Sequence, residues 1–152
     1  MLARLPDVFR SLNDRDVRYV VIGGVAAIVH GVPRTTLDLD LLIAADSDNA
    51  RRLLDGLGSA GLGTATLTTP EDVLAHEITV FNDVLRIDVQ TRTPGLEFDD
   101  AWNHREERRI GEIRYPIVSR DDLIRSKRAS GRPKDLEDVR VLESGDVTPP
   151  AT

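Results

Sequence analysis

The stretch Leu37-Asp38-Leu39-Asp40-Leu41 constrains this chain more than any other part of it. Apolar and acidic residues alternate there with a period of two, the period of a β-strand and not of a helix. The leucines are expected on one face, toward a core. Both carboxylates then share the other face, about 7 Å apart at their Cα atoms by strand geometry. Like charges held that close repel unless something cationic lies between them.

A second segment has the same character. In Leu85-Arg86-Ile87-Asp88-Val89-Gln90 the apolar residues alternate again, and Asp88 shares the polar face with Arg86 and Gln90. If the two strands are neighbours, Asp38, Asp40 and Asp88 meet at one place. Magnesium is a hard ion that prefers carboxylate and phosphate oxygen. Three carboxylates suit two such ions roughly 3.5–4 Å apart, the arrangement used for in-line phosphoryl chemistry. An Asp-x-Asp on a strand is more often only a solvated face, and that reading stands beside the metal one.

The surrounding elements read as strands mixed with helices, an α/β (α+β) chain with a mixed sheet flanked by helices. Leu2, Leu5, Val8, Phe9 and Leu12 space out as an amphipathic helix. Residues 17–22 form a β-branched run that stops at Gly23-Gly24, a tight turn, followed by a small apolar helix over 25–30 closed by Gly31. Ser47-Asp48-Asn49 offers an N-cap for a helix ending near Gly56 to Gly61. Residues 78–81 and 85–90 flank Asn82-Asp83 as a hairpin. Another helix is expected around Trp102. Pro116 marks residues 112–118 as an edge strand. Ser119 with Asp122 resembles a capping box opening a helix through Ala129. Gly131-Arg132-Pro133 breaks that helix, and a last one follows over 134–142. One domain over 1–143 is expected, with a flexible tail over 144–152.

Composition narrows the chemistry. With 152 residues, 40% hydrophobic and 30% charged, the chain suits one globular core built on Leu, Val and Ile, because aromatics make up only 4%. A formal net charge of -6 argues against broad binding to nucleic acid or an anionic membrane. The absence of cysteine excludes disulfides, thiolate metal sites and thiol nucleophiles, and suits a reducing compartment. Neither a signal peptide nor a run of ~20 apolar residues is present, so the expectation is cytoplasmic. No Gly-x-Ser-x-Gly elbow supports acyl chemistry, and His30, His76 and His104 lack zinc-ligand spacing. His30 reads as a structural hydrogen-bonder. The run Arg105 to Arg109 reads as a solvated face.

Gly23-Gly24 lacks the third glycine of a dinucleotide fingerprint and the Gly-Lys-Ser/Thr of a Walker loop. Its N–H groups can still admit a phosphate, with the following helix pointing its positive end there. A strand ending in Gly-Gly, thirteen intervening residues and then Asp-Leu-Asp on a strand resembles the signature of the nucleotidyltransferase superfamily that includes DNA polymerase β. Asp88 falls where that family carries its third acid. The segment His30-Gly31-Val32-Pro33-Arg34-Thr35-Thr36 and the later Lys127…Arg132-Pro133-Lys134-Asp135…Asp138 resemble the small bacterial branch related to AbiEii toxins, which is linked to toxin–antitoxin systems.

The resemblance covers residues 17–142. It implies a polymerase β-like fold, catalytic Asp38, Asp40 and Asp88 on magnesium or manganese, and an NTP such as ATP as donor. It also implies a hydroxyl acceptor on RNA such as tRNA or on a protein, and a cognate toxin or antitoxin as partner. Gly23 and Gly24 would lie against the phosphates, with Lys127 as a point charge on them, Lys134 as a further cation, and Asp135 orienting one of the two lysines. Arg34, on the turn entering the acidic strand, either reaches the phosphates or pairs with an acid to hold that turn. Many members carry Gly-Ser, whereas Gly24 offers only an N–H, so phosphate grip must come more from backbone and cations. The alternatives are a non-catalytic module of the same fold that binds nucleotide or a partner, and a metal-dependent phosphohydrolase using the same acids.

Overall fold

The structure, a computed structural model, describes residues 2–144. Six strands form one mixed sheet in the order β3-β4-β2-β1-β6-β5. They are β1 (Tyr19–Ile22), β2 (Asp38–Ile43), β3 (Ile78–Asn82), β4 (Arg86–Gln90), β5 (Glu106–Ile110) and β6 (Ile113–Ile117). Helices flank the sheet: α1 (Leu5–Asp14), α2 (Gly23–Val29), α3 (Ser47–Ser59), α4 (Pro70–Ala75), α5 (Phe98–His104), α6 (Arg120–Ser130) and α7 (Pro133–Ser144). This is the α/β architecture with a mixed sheet that the alternation of patterns implied. No helix among the described residues is long and apolar enough to cross a membrane.

The central strands are where the core sits. All four residues of β1 are buried, as are Leu39, Leu41, Leu42 and Ile43 of β2. Phe9 of α1 stacks on Tyr115 of β6 at 4.6 Å and on Tyr19 of β1 at 6.2 Å between ring centroids, so three aromatics gather where α1 covers the sheet. The hairpin expected at Asn82-Asp83 joins β3 to β4 in antiparallel register. Asp83 carries a second duty there, its carboxylate accepting from the backbone N–H and hydroxyl of Thr64.

Several expectations need correction. Leu37 is 81% exposed and not part of the core, because the ladder with β4 begins only at Asp38. The strand over 112–118 is not an edge. It lies between β1 and β5, and the run Arg105 to Arg109 supplies the edge strand β5. Pro116 is tolerated inside the sheet because β6 meets β1 only at the Val21–Ile117 pair and through Val118 N–H to Val21 O, so no donor is needed at Pro116 on that side.

The N-cap of α3 is Asp46, which accepts from Asn49 N–H. The Asn49 side chain is instead buried and ties Arg18 to Ala44. At α6 only half of the capping box forms. Ser119 accepts from Asp122 N–H, while the Asp122 carboxylate turns to His104 Nδ1 at 2.9 Å. A complete capping box, Thr69 with Asp72, opens α4, a helix the hydrophobic pattern did not announce. Gly23 and Gly24 are themselves the first turn of α2. Ser144 belongs to α7, and the rest of the expected tail lies outside the described residues.

Candidate active site

The sheet register brings the acids together. β2 and β4 are parallel neighbours, with Asp38 opposite Arg86 and Asp40 opposite Asp88. Adjacent strands lie about 4.8 Å apart, so Asp40 and Asp88 share one face at the closest spacing a sheet allows. Asp88 therefore stands beside Asp40 and two residues along from Asp38. Burial, then the charges of Asp88 and Asp38, push the Asp40 carboxyl up to about 6, against smaller opposing pulls from Gly24 N–H and Lys127.

One cation already mingles with the trio. Arg86 Nε is 3.0 Å from Asp88 Oδ1 and 3.8 Å from Asp38 Oδ1. Among the described residues no three carboxylates or histidines stand ready at metal-ligand spacing. The donor set nevertheless suits magnesium, which takes one or a few carboxylates and completes its shell with water and substrate phosphate.

Gly23 has a reason other than phosphate approach. Its φ is +69°, and a Cβ there would lie 2.2 Å from Asp40 Oδ2, so the glycine lets Asp40 close over the start of α2. Gly24 is tight as well: a Cβ on it would come within 2.9 Å of Thr36 Oγ1. Its N–H is directed at the Asp40 carboxylate.

Opposite the sheet, α6 and α7 contribute a buried ion network. Lys127 Nζ lies 2.9 Å from Asp138 Oδ2 and 3.4 Å from Asp135 Oδ1, and it is nearly inaccessible to solvent. Arg34 Nη1 reaches the same Asp138 oxygen at 2.7 Å. Of the two roles open to Arg34, pairing with an acid is the one seen, and that acid comes from α7. Burial pushes the Asp135 carboxyl up, but hydrogen bonds from Arg132 and Ser130, with the Lys127 charge, outweigh it and leave it below the usual range. Asp135 thus pairs with Lys127 and not with Lys134, which is exposed on the first turn of α7.

Asp38, Asp40, Asp88, Gly23, Gly24, Arg34, Lys127 and Lys134 all line one cavity of about 610 Å³. Three clefts of similar size elsewhere contain none of the eight. Thr36 and Arg132 also line this cavity. Asp138 was visible only as part of a motif, and its role needed the fold. The signal for it is the spacing from Asp135, which sets both on one face of α7. His30 is structural, its Nε2 bonded to Val118 O at 2.8 Å.

No curated protein matches the chain. The model of a family described as "Nucleotidyltransferase of unknown function (DUF6036)" matches residues 3–146, and this chain therefore belongs to that family.

Proposed function

We propose that the protein transfers a nucleoside monophosphate from an NTP to a hydroxyl acceptor, with divalent magnesium or manganese held by Asp38, Asp40 and Asp88. The observation that carries this reading is the register of β2 against β4. It sets Asp40 beside Asp88 in the cavity that Gly23, Gly24 and Lys127 also line. Surface carboxylates that merely solvate a sheet have no reason to be partly buried beside one another, at a cost large enough to lift Asp40 to about 6.

The bound dication would neutralise phosphate charge and lower the pKa of the acceptor hydroxyl. The chain's own groups account for the rest. Asp88, on β4 between β3 and β2 and lining the cavity beside Asp40, would accept the acceptor's proton. Lys127, fixed by two carboxylates, offers a preorganised positive charge that needs no reordering when the triphosphate arrives. Lys134, exposed and without a carboxylate partner among the described residues, is free to follow the departing pyrophosphate.

The acceptor is RNA such as tRNA, or a protein, and the system is a toxin–antitoxin pair of the AbiEii-related kind. The supporting points are the motif segments around Arg34 and Lys127. The test is incubation with each labelled NTP, magnesium and a cell lysate. A labelled macromolecule that vanishes with Asp88→Asn is the expected result. Free labelled product without a labelled acceptor would favour a phosphohydrolase, and no reaction would favour a non-catalytic module.

A further inference from the structure

The donors around Gly24 are almost all committed inside the protein. Gly24 N–H is directed at Asp40, Arg34 is bound to Asp138, Lys127 to Asp138 and Asp135, and Arg132 to Asp135. Thr36 is different. The residue lines the same cavity, and its hydroxyl lies over Gly24, 2.9 Å from where a side chain on that glycine would begin.

The hydroxyl's internal bonds are weak. Asp38 N–H reaches Thr36 Oγ1 at 3.4 Å, and among the described residues the only acceptor for the Thr36 proton is Asp38 O at 3.3 Å. Good O–H···O bonds fall at about 2.5–3.0 Å, so this proton is nearly unspent. A hydroxyl has one donor and two lone pairs. With Asp38 N–H occupying one lone pair, Thr36 can turn its proton into the cavity without giving up a strong bond.

We infer that Thr36 is a phosphate-binding residue of this site, its hydroxyl donating to a non-bridging oxygen of the nucleotide's phosphates from the space that Gly24 leaves open. Gly24 and Thr36 are then one device in two parts. A larger residue at 24 would collide with Thr36, and Thr36 places at that spot the donor that position 24 lacks. The inference rests on the nucleotide reading of the cavity.

The test measures binding of fluorescent analogues of the four NTPs, each with a non-cleavable α–β bridge, in magnesium. Four proteins are compared: wild type, Thr36→Val, Thr36→Ser, and the double variant Gly24→Ser with Thr36→Gly, which moves the hydroxyl across the gap. Melting temperatures run alongside, because a purely structural role for Thr36 would show there and not in affinity. The expected result is a loss on the order of tenfold in affinity for Thr36→Val, the scale of a hydrogen bond to a charged group. Thr36→Ser should stay within about twofold of wild type, and the double variant should recover most of the loss. Affinity unchanged in Thr36→Val, or a serine variant no better than valine, overturns the inference while leaving the nucleotide site standing. If valine does not fold, the double variant decides: binding near wild type supports the inference, and binding lost in a folded protein overturns it. A wild type that binds none of the four analogues removes the proposed function and this inference together.

Discussion

Replacing Asp40 by asparagine should make the metal-free protein more stable at neutral pH. Asp40 is raised from 3.8 to about 6, by burial first and then by the charges of Asp88 and Asp38. A carboxyl whose folded pKa lies above its unfolded value favours the folded state only when protonated. Its ionisation therefore costs stability progressively as pH rises from near 4 to near 6, and the cost is constant above that. At about 1.36 kcal/mol for each pKa unit, the full penalty is at most about 3 kcal/mol. Asparagine keeps an oxygen for Gly24 N–H and keeps the volume, but carries no charge. The expected gain is about 3 kcal/mol at pH 7.5 and about 1 kcal/mol at pH 4.5, from the same two pKa values. Urea unfolding in EDTA at both pH values reads this directly, because every other titrating group is common to the two proteins. A gain that does not shrink on acidification, or a loss at pH 7.5, would refute the electrostatic account of the site. Added magnesium should then stabilise the wild type and not the variant.

Three further outcomes follow from the same geometry. Asp138→Ala takes the carboxylate partner from the partly buried Arg34 and leaves buried Lys127 with Asp135 alone, and should lower the unfolding free energy by about 3 kcal/mol in urea titrations. Gly23→Ala meets both a positive φ and the 2.2 Å approach to Asp40, and should cost at least about 2 kcal/mol by the same measurement. Asp88→Asn should reduce labelled transfer at least about a hundredfold, the scale for losing a positioned proton acceptor. In EDTA the same variant should bind triphosphate a few-fold more tightly than wild type in a fluorescence titration, since one repelling charge has gone. In magnesium the order should reverse.

Much of this architecture was legible because period-two patterns specify strands whose face is then unambiguous. Asp38, Asp40 and Asp88 fell on polar faces for that reason alone. What escaped depended on neighbours. β5 is written in charges, Glu106, Glu107, Arg108 and Arg109, and shows no apolar alternation. It is a strand because β6 pairs with it, and the charges suit an edge that must not recruit another sheet. Leu37 continues the leucine pattern but precedes the first ladder pair, so periodicity alone could not say that it is exposed. The joint role of Asp135 and Asp138 was half visible in their spacing. That their shared face turns back onto Lys127 depends on Gly131, whose left-handed φ of +67° ends α6 and starts the reversal into α7.

The distribution of charge around the cavity explains why so many ionised groups can coexist there. On the sheet side stand three carboxylates, Asp38, Asp40 and Asp88, against one guanidinium, Arg86. On the side of α6, α7 and the turn before β2 stand four cations, Arg34, Lys127, Arg132 and Lys134, against two carboxylates, Asp135 and Asp138. The site as a whole is neutral, but its sides are sorted, one acidic and one basic. Pairing each acid with the nearest available base would have been cheaper for folding, and α6 and α7 do this almost to completion. The sheet does not, and Asp40 bears the cost. A ligand that offers positive charge to one side and negative charge to the other relieves that imbalance at both ends. A dication carrying a polyphosphate is such a ligand, whereas a bare cation or a bare phosphate would satisfy one side alone.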